Sequence, residues 1–393
     1  MFKKINNIFL VYYGSFNARS GSNVHILELF GNLKKHTNVI MFAPGQKSAN
    51  RALSGVKYVP IIDNKYLVQP SYELMLPFYL LYSILKNRPD VLYLRQNSFP
   101  FFPILLCKIL RIPSVVEVNG LVLDELKVNN SQSFAYRVFS YLALYSEKFN
   151  YGYCNRIVSV TNKLKEELIN LYGVPDGKIF VVNNGANIDL FKPMDRERVR
   201  KELRLEESVK YVCFVGNLAA WQGVEFLIHA APSILKKCPD VRFLVVGDGT
   251  MKNKLLEVTS ELELSEKIIF TGRVPYDDVP LYINASDVCV APFIKGRNAK
   301  IGLSALKTYE YLACGKPIVA SSISGVKELI ELSGGGISVG PENPAELADA
   351  VVKLILNEKT RTLMGEKGRK YVVENHSWNG VARRILDICS GIV

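Results

Sequence analysis

The sequence predicts an α/β protein with two doubly wound halves, each a parallel sheet covered by helices on both faces. Short apolar strands alternate with amphipathic helices along almost the whole chain, and fully apolar strands are typical of buried parallel sheets. The alternation pauses in the charged stretch 192–208, which Pro193 opens, and then begins again. The length of 393 residues also favours two domains over one.

The first half begins with a strand predicted over residues 7–13, followed by a loop that contains Gly14, Gly21 and Ser22. The apolar stripe of a helix comes next, at Ile26, Leu29, Phe30 and Leu33. Further apolar runs predict strands at 39–43, 91–94, 114–118, 156–160 and 178–182.

The second half repeats the same alternation. Its strands are predicted at 210–215, 241–246, 268–271, 288–291 and 317–320, and its helices at 223–236, 252–261, 279–285 and 304–313. Helical sequence continues to about Tyr371, and a last helix spans 377–388. We expect domains at 1–190 and 191–376, with residues 377–393 returning to complete the first.

Composition excludes several classes of protein. Seven cysteines without a C-x-x-C pair indicate neither a disulfide framework nor a zinc module. Four of them, Cys107, Cys213, Cys289 and Cys314, lie in apolar runs and are expected in the core. No apolar run reaches the ~18–20 residues of a membrane span. The N-terminus shows no signal-peptide cleavage site, so we expect a cytoplasmic protein.

The charge is basic and unevenly distributed. Lys and Arg number 49 against 37 Asp and Glu, a net charge of +12. Residues 1–190 contain 21 basic and 12 acidic residues, or +9, which leaves +3 for the rest. The same half contains the aromatic segments 72–82 and 99–102. This combination fits peripheral contact with an anionic membrane, or equally a buried helix among solvated lysines. Nucleic-acid binding is not indicated, because there is no basic helix or aromatic RNA platform.

The most informative segment spans residues 295–315. Ser304 is predicted as the N-cap of a helix and Gly315 as its C′ residue. The helix N-terminus and the cations Arg297, Lys300 and Lys307 would form an anion site.

Glu310 lies six residues beyond Ser304, about 9 Å along the axis at ~1.5 Å per residue. A phosphate at the helix start and a sugar diol bound by Glu310 would span that distance. A surface helix in which Lys307 and Glu310 simply pair explains the same pattern equally well.

This segment resembles the donor half of retaining glycosyltransferases of family four, the group 1 glycosyl transferases. Matching stretches follow in the expected order, at 157–161, 182–193, 214–218, 221–227, 247–249, 270–274 and 284–292. The resemblance covers nearly the whole chain. It implies the GT-B fold, in which two Rossmann-like domains face each other across a cleft.

The resemblance also implies residue roles. Glu310 would bind the nucleotide ribose, and the main chain of Ser304, Ala305 and Leu306 would receive the diphosphate. The turn at Arg273 and Val274 would contact the nucleobase through its main chain. The remaining donor-binding candidates are turn residues, namely Gly21, Ser22, Gly216, Asn217, Gln222, Gly223 and Gly247. Glycine is needed where backbone approaches a ligand.

Several positions depart from the family pattern. Gly302 replaces the first of the paired glutamates, so main-chain N–H groups around Leu303 are expected to serve instead. Asn217 and Gln222 replace the two cations of the usual diphosphate clamp, and Lys307, Lys300 and Arg297 are the natural substitutes. The family's histidine facing the donor sugar is missing as well. Asn119, at the end of the strand 114–118, is the candidate replacement.

The implied reaction moves a hexose from a UDP-sugar or GDP-mannose to a hydroxyl of a lipid-linked or cell-envelope glycan. The leaving phosphate would help to deprotonate the acceptor, so no protein nucleophile is required. No Asp-x-Asp motif is present and the four histidines lack metal-ligand spacing, so no cofactor or metal is expected. His25 is expected to be a solvated helix residue. Acceptor choice would depend on loops such as 45–54 and 124–134.

Two alternatives remain at this point. One is a GT-B sugar-nucleotide epimerase, for which Glu117 is the obvious acid/base candidate. The other is an inactive GT-B scaffold or binding protein, suggested by Gly302 and by the missing clamp cations.

Overall fold

The computed structural model describes residues 4–14, 16, 21–45, 53–62, 64, 67–96, 101–121 and 134–393, without the side chains of 134–140 and Arg297. The chain divides into two compact units. Unit 1 is Met1–Asn183 with Trp378–Val393, and unit 2 is Asn184–Ser377. The acceptor loops expected at 45–54 and 124–134 lie mostly outside the described residues.

Unit 1 contains a seven-stranded parallel sheet in the order β3-β2-β1-β4-β5-β6-β7. Its strands are β1 Asn7–Val11, β2 Asn38–Pro44, β3 Val56–Val59, β4 Val91–Arg95, β5 Ser114–Val118, β6 Arg156–Ser159 and β7 Ile179–Val181. Its helices are α1 Gly21–Leu33, α2 Val68–Lys86, α3 Phe102–Leu110, α4 Phe134–Tyr153 and α5 Asn162–Tyr172. The sequence did not predict β3, because this edge strand is mostly half-buried and contains Lys57, so it has no long apolar run.

Unit 2 contains a six-stranded parallel sheet in the order β10-β9-β8-β11-β12-β13. Its strands are β8 Lys210–Val215, β9 Val241–Val246, β10 Ile268–Gly272, β11 Val288–Ala291, β12 Ile318–Ser321 and β13 Gly336–Val339. Its helices are α6 Arg196–Glu202, α7 Val224–Lys237, α8 Lys252–Glu261, α9 Val279–Ala285, α10 Gly296–Ile301, α11 Leu306–Ala313, α12 Val326–Ser333, α13 Pro344–Leu356 and α14 Glu358–Asn375. The unpredicted β13 is again a half-exposed edge strand, and it begins at the third of three consecutive glycines.

The prediction of two parallel sheets with helices on both faces is confirmed. Alternate residues of β8 point to opposite faces, as the two-residue period of a strand requires. Val212 and Phe214 pack with α7 and α13, whereas Cys213 and Val215 pack with α11 and α12. All seven cysteines are buried free thiols, so the expectation of core cysteines is also confirmed.

The C-terminal helix α15, Trp378–Ser390, belongs to unit 1. It packs along α1, where the Trp378 ring meets the edge of the His25 ring at 5.0 Å. His36 Nε2 lies 2.6 Å from Asn379 Oδ1 on the same helix. Arg156 donates to the carbonyl of Ile388 at 2.8 Å, which fixes the end of α15 against β6.

The strand order places a topological switch point in each sheet. The connections turn in opposite directions from β1 and β4 in unit 1, and from β8 and β11 in unit 2. Ligands of such sheets bind outside the carboxyl ends of the strands at the switch point. The candidate residues after these strands are therefore where the topology predicts a ligand. Within the described part of the chain, no helix is both long and apolar enough to cross a bilayer.

Candidate functional site

Glycine turns bring the carboxyl ends of β8 and β9 into direct contact. Gly216 and Gly247 follow these strands with φ of 145° and 139°, a region that side chains rarely adopt. A Cβ on Gly247 would lie 1.9 Å from the carbonyl oxygen of Gly216. The amide of Gly247 also donates to Gly272 at the end of β10. Only glycine therefore permits this close stacking of backbone.

Gly223 is the N-cap of α7 and supports the neighbouring turn. Its φ is 68°, and a Cβ there would collide with the carbonyl of Pro292, at 1.8 Å. Asn298 of α10 donates to the carbonyl of Trp221 at 3.1 Å, so α10 is held beside the turn that contains Gln222. Lys300 lies on this helix and is half-buried. The Arg297 side chain lies outside the described residues.

Lys307 is the cation that the structure brings to the glycine turns. Its ammonium donates to Gln222 Oε1 at 2.7 Å, and it lies 3.8 Å from the centre of the Phe214 ring. A Cβ on Gly216 would be only 2.6 Å from the Lys307 Nζ. Burial lowers the pKa of Lys307 to about 7, and the carboxylate of Glu310 opposes part of that shift. Because desolvation disfavours the charged form, an anionic ligand beside this half-buried side chain would stabilise the ammonium.

Glu310 lies one turn further along α11 and is 6% exposed. Its Oε1 accepts a hydrogen bond of 2.9 Å from the Tyr276 hydroxyl. Tyr276 follows closely after Arg273, which is exposed, and Val274, which packs against the core. The structure therefore joins the turn expected to contact the base to the residue expected to bind the ribose. It does not show Lys307 and Glu310 as a simple surface pair.

The predicted N-cap of α11 is wrong. The helix begins at Leu306 with Ala305 as its N-cap, because Ser304 is engaged elsewhere. Ser304 Oγ accepts from the amide of Asn184 at 2.8 Å, and the Ser304 carbonyl accepts from the Asn184 side chain at 2.5 Å. The predicted C′ residue is confirmed, since Gly315 has a φ of 70°. The first N–H groups of a helix have no i−4 carbonyl partner within it. In α11 the amide of Thr308 donates instead to the carbonyl of Ala305 at 3.1 Å, so Leu306 and Lys307 provide the N–H groups at the helix start.

The main chain at Leu303 does not offer its N–H group to a ligand, contrary to expectation. That N–H donates to the carbonyl of Ser324 at 2.8 Å. Gly302 precedes it with φ 69° and ψ 179°. This positive-φ region with ψ near 180° is almost restricted to glycine. A glutamate at position 302 would therefore be strained in this backbone.

The candidate Asn119 in unit 1 lies beside a buried polar network. Its side-chain amide donates to Glu117 Oε1 at 2.5 Å. Glu117 is 1% exposed and also contacts His25 at 2.9 Å and Tyr93 at 2.5 Å. Burial raises the pKa of Glu117, but the His25 ring and Arg95 outweigh it and hold that pKa well below its usual range. The prediction that His25 is solvated is wrong, because α1 turns this residue towards the sheet, where it is 5% exposed.

The start of α1 is held at the same edge of the unit 1 sheet. Ser22 Oγ lies 3.1 Å from the Tyr12 hydroxyl, and Arg95 donates to the Ser22 carbonyl at 2.9 Å. Tyr12 follows β1, and Arg95 ends β4. Gly21 and Ser22 therefore lie at the switch point of unit 1, where the topology predicts a ligand.

Sequence reasoning missed Tyr276, Asn184 and Arg95 as parts of these arrangements. Tyr276 could have been found, because it lies two residues after the matched turn at Val274. Asn184 lies in the matched stretch 182–193, but its link to Ser304 depends on the fold. Among the described residues, no group of three or more His, Cys, Asp or Glu side chains is placed to hold a metal ion.

Comparison with known proteins places the chain in a family. Residues 195–371 match the model for glycosyl transferases group 1, and residues 19–190 match the model for glycosyltransferase family 4. An uncharacterised glycosyltransferase of Methanocaldococcus jannaschii is 27% identical over 307 residues, 77% of this chain and 75% of that protein. A GDP-mannose-dependent alpha-(1-6)-phosphatidylinositol monomannoside mannosyltransferase of Mycobacterium tuberculosis is 26% identical over 239 residues, 60% of this chain and 61% of that protein.

A solved structure shows the same fold over nearly the full length. Anabaena Alr3699/HepE in complex with UDP-glucose superimposes with a TM-score of 0.76 and 17% identity, covering 98% of this chain and 99% of that one. The two family models together cover most of the sequence, and the resemblance to family four stated from the motifs is confirmed. The chain therefore belongs to glycosyltransferase family 4, the group 1 glycosyl transferases, and is a nucleotide-sugar-dependent enzyme of that family.

Proposed function

We propose that this enzyme transfers a hexose, with retention of configuration, from a nucleotide sugar to a hydroxyl of a lipid-linked or cell-envelope glycan. The observation that carries the proposal is the grouping of Lys307, Gln222 and Gly216 at the carboxyl end of β8. Glu310 follows one helical turn later. Along α11 the cation Lys307 comes first and the carboxylate Glu310 three residues later. A diphosphate bound beside Lys307 and its ribose bound at Glu310 would follow the same order.

Lys307 supplies positive charge that the altered clamp positions lack. Asn217 and Gln222 carry no charge, so the diphosphate is neutralised by Lys307 and by the first-turn N–H groups of α11. Arg297 and Lys300, on the neighbouring α10, add positive charge to the same region. The main chain of Ala305 and Leu306 faces the diphosphate in this proposal.

Two donor classes fit this arrangement. The solved Anabaena neighbour holds UDP-glucose, and the mycobacterial relative is named as GDP-mannose-dependent. The base is contacted through the main chain at Arg273 and Val274, which does not choose between uracil and guanine. We therefore propose a UDP-sugar or GDP-mannose.

The reaction requires positioning and charge stabilisation rather than a protein nucleophile. The leaving diphosphate takes the acceptor proton, while Lys307 and the start of α11 stabilise its developing charge. Asn119 would hydrogen-bond a sugar hydroxyl.

We propose that no metal or cofactor takes part in the transfer. Transfer should therefore be unchanged after EDTA treatment. A loss of transfer that Mg²⁺ or Mn²⁺ restores would contradict this.

The test of the donor site is release of nucleoside diphosphate from a panel of UDP-sugars and GDP-mannose, with lipid extract as acceptor. Glu310→Ala and Lys307→Ala should each lower turnover by about tenfold or more, because each removes a charged contact. Lys353→Ala, at an exposed site on α13, is the control. Wild-type turnover in both site variants would remove the assignment.

The alternatives make different predictions. An inactive scaffold releases no diphosphate with any donor in the panel. An epimerase would need Glu117 as an acid or base, but Glu117 is buried beneath Asn119 and is hydrogen-bonded to Tyr93. A buried carboxylate that accepts hydrogen bonds from two neighbouring side chains is better suited to a structural role than to acid or base catalysis.

We further propose that unit 1 contacts an anionic membrane through the outer faces of α2, α3 and α4. These helices are neighbours in the fold. Their large exposed apolar side chains are Leu74, Phe78, Leu81, Tyr82, Leu85, Phe102, Ile109, Tyr141, Leu142, Tyr145 and Tyr153. On α2 the exposed residues recur every three or four positions, so they form one stripe. Amphipathic faces rich in aromatic residues are typical of interfacial membrane contact.

The charge of this outer face matches an anionic surface. The acidic residues in the sequences of α2, α3 and α4 are Glu73 and Glu147, and both are buried. Lys86 and Lys108 are exposed beside aromatic rings, with their ammonium groups 4.6 Å from the Tyr82 ring and 3.4 Å from the Tyr153 ring. Cations above interfacial aromatic residues would lie at the level of anionic headgroups.

Co-sedimentation with vesicles tests the membrane contact. We expect binding to phosphatidylcholine vesicles only when phosphatidylglycerol is included, and weaker binding at high salt. Phe78→Glu should abolish binding, since residue 78 is 65% exposed and tolerates charge in the folded protein. Leu356→Glu, at a residue 69% exposed in unit 2, is the matched control. Equal binding by both variants would refute the assigned face.

A further inference from the structure

Tyr276 connects two parts of the proposed nucleotide site. It begins a short 3₁₀ helix, Tyr276–Asp278, two residues after Val274 in the turn expected to contact the base. Its hydroxyl donates to Glu310 Oε1 at 2.9 Å, although 34 residues separate them in the sequence. Tyr276 is half-buried, whereas the Glu310 carboxylate is buried. One hydrogen bond therefore joins the end of β10 to the middle of α11.

Apolar packing independently fixes the ring of Tyr276. It lies 5.3 Å from the ring of Phe191, at an angle of 59°, and it packs against the core of unit 2. Phe191 is fully buried. Phenylalanine at position 276 would keep these contacts and remove only the hydroxyl. The substitution Tyr276→Phe thus isolates the effect of the hydrogen bond.

Orientation matters for a carboxylate that binds a diol. The last torsion of a glutamate side chain is broad, so an unrestrained carboxylate samples many orientations. A hydrogen bond to a charged acceptor is stronger than a neutral one and restricts that freedom. Because the Tyr276 hydroxyl donates a hydrogen bond to Glu310 Oε1, the carboxylate is held in one orientation before the nucleotide binds.

We propose that Tyr276 is a positioning residue that orients Glu310 towards the ribose hydroxyls and sets the preference for ribonucleotides over deoxyribonucleotides. This inference depends on the proposed role of Glu310 in nucleotide binding. Tyr276 acts through Glu310 and does not itself contact the sugar.

The experiment is a double-mutant cycle on the full-length enzyme, with Tyr276→Phe, Glu310→Ala and the combined variant. Affinities for UDP and GDP are measured by calorimetry, each beside its 2′,3′-dideoxy counterpart. For the ribonucleotide that binds, Tyr276→Phe should weaken affinity about 10- to 150-fold, the range expected for a lost hydrogen bond to a charged group. It should change affinity for the dideoxynucleotide less than twofold.

In the Glu310→Ala background, Tyr276→Phe should have no further effect, because the group that it orients is gone. Tyr282→Phe, on α9 in the same unit, is the matched control and should bind like the wild type. An equal loss from Tyr276→Phe with and without Glu310, or an equal loss for ribose and dideoxyribose, would overturn the positioning role. Unchanged nucleotide affinity in Glu310→Ala alone would instead refute the proposed ribose site.

Discussion

The chemistry of Lys307 depends on its surroundings in the fold. In the sequence it is one of several lysines, and its position on a helix permits a solvent-exposed pair with Glu310. The fold places its ammonium against Gly216, Gln222 and the Phe214 ring instead. Removal from water disfavours the charged form, which is why the pKa falls to about 7.

Donor binding should therefore depend on pH. Near pH 6 the free enzyme holds Lys307 mainly protonated, and above pH 8 mainly neutral, because its pKa is about 7. A diphosphate favours the ammonium, so affinity should fall by up to about tenfold per pH unit above 7. UDP-glucose and GDP-mannose are suitable probes, since their diphosphate has no terminal phosphate that titrates in this range.

The control for this prediction is Lys307→Met, which should bind weakly with a flat pH profile. A wild-type affinity for the donor that stays constant from pH 6.5 to about 8.5 would contradict it.

The lowered pKa of Lys307 has the opposite effect on the stability of the folded protein. The unfolded chain keeps the Lys307 proton to about pH 10, so the free energy of unfolding should rise with pH from about 7 to 10.

At the scale of single elements, burial decided what could be predicted. The strands at 210–215, 241–246 and 288–291 were predicted to the residue because each is a mostly apolar and buried run, with Lys210 and Arg242 as the charged exceptions. The edge strands β3 and β13 were missed because each is half-exposed and lacks that signal. The start of α11 was misplaced because Ser304 suits an N-cap by itself, and only the fold shows that Asn184 occupies its hydroxyl.

The glycine turns give a prediction about stability. Gly247→Ala should lower the free energy of unfolding of unit 2 by about 2–4 kcal/mol, because its Cβ would overlap a backbone carbonyl that cannot move aside. Gly152→Ala in α4 is the contrasting change, since a Cβ there meets nothing within 4 Å. It should stabilise by about 0.5–1 kcal/mol. Thermal unfolding of both variants checks this, and equal midpoints would count against it.

At the scale of the whole molecule, the chain crosses from unit 2 back to unit 1 at Trp378. The side chain of Trp378 is 2% exposed and packs on His25 of α1. Trp378→Ala should cost unit 1 about 3–5 kcal/mol through the cavity that it leaves. Hydrogen exchange should show faster exchange in β1, β4 and β5, with the strands of unit 2 unchanged.

The conservative change Trp378→Phe, which fills most of that cavity, should restore much of the protection in unit 1. If Trp378→Ala accelerated exchange equally in both units, α15 would not be an element of unit 1 alone. The charge distribution follows the same division, because unit 1 contains 23 basic and 12 acidic residues, a net charge of +11, and is the unit with the exposed aromatic helices.

The sequence by itself determined the fold class, the family and the positions of most buried elements. Those features depend on local periodicity and on motifs whose residues are close along the chain. Only the tertiary structure decided which polar groups meet: Lys307 with Gln222, Tyr276 with Glu310, and His25 with Glu117. Each pair is distant in sequence, and the burial that changes its chemistry exists only after the strands and helices have packed together.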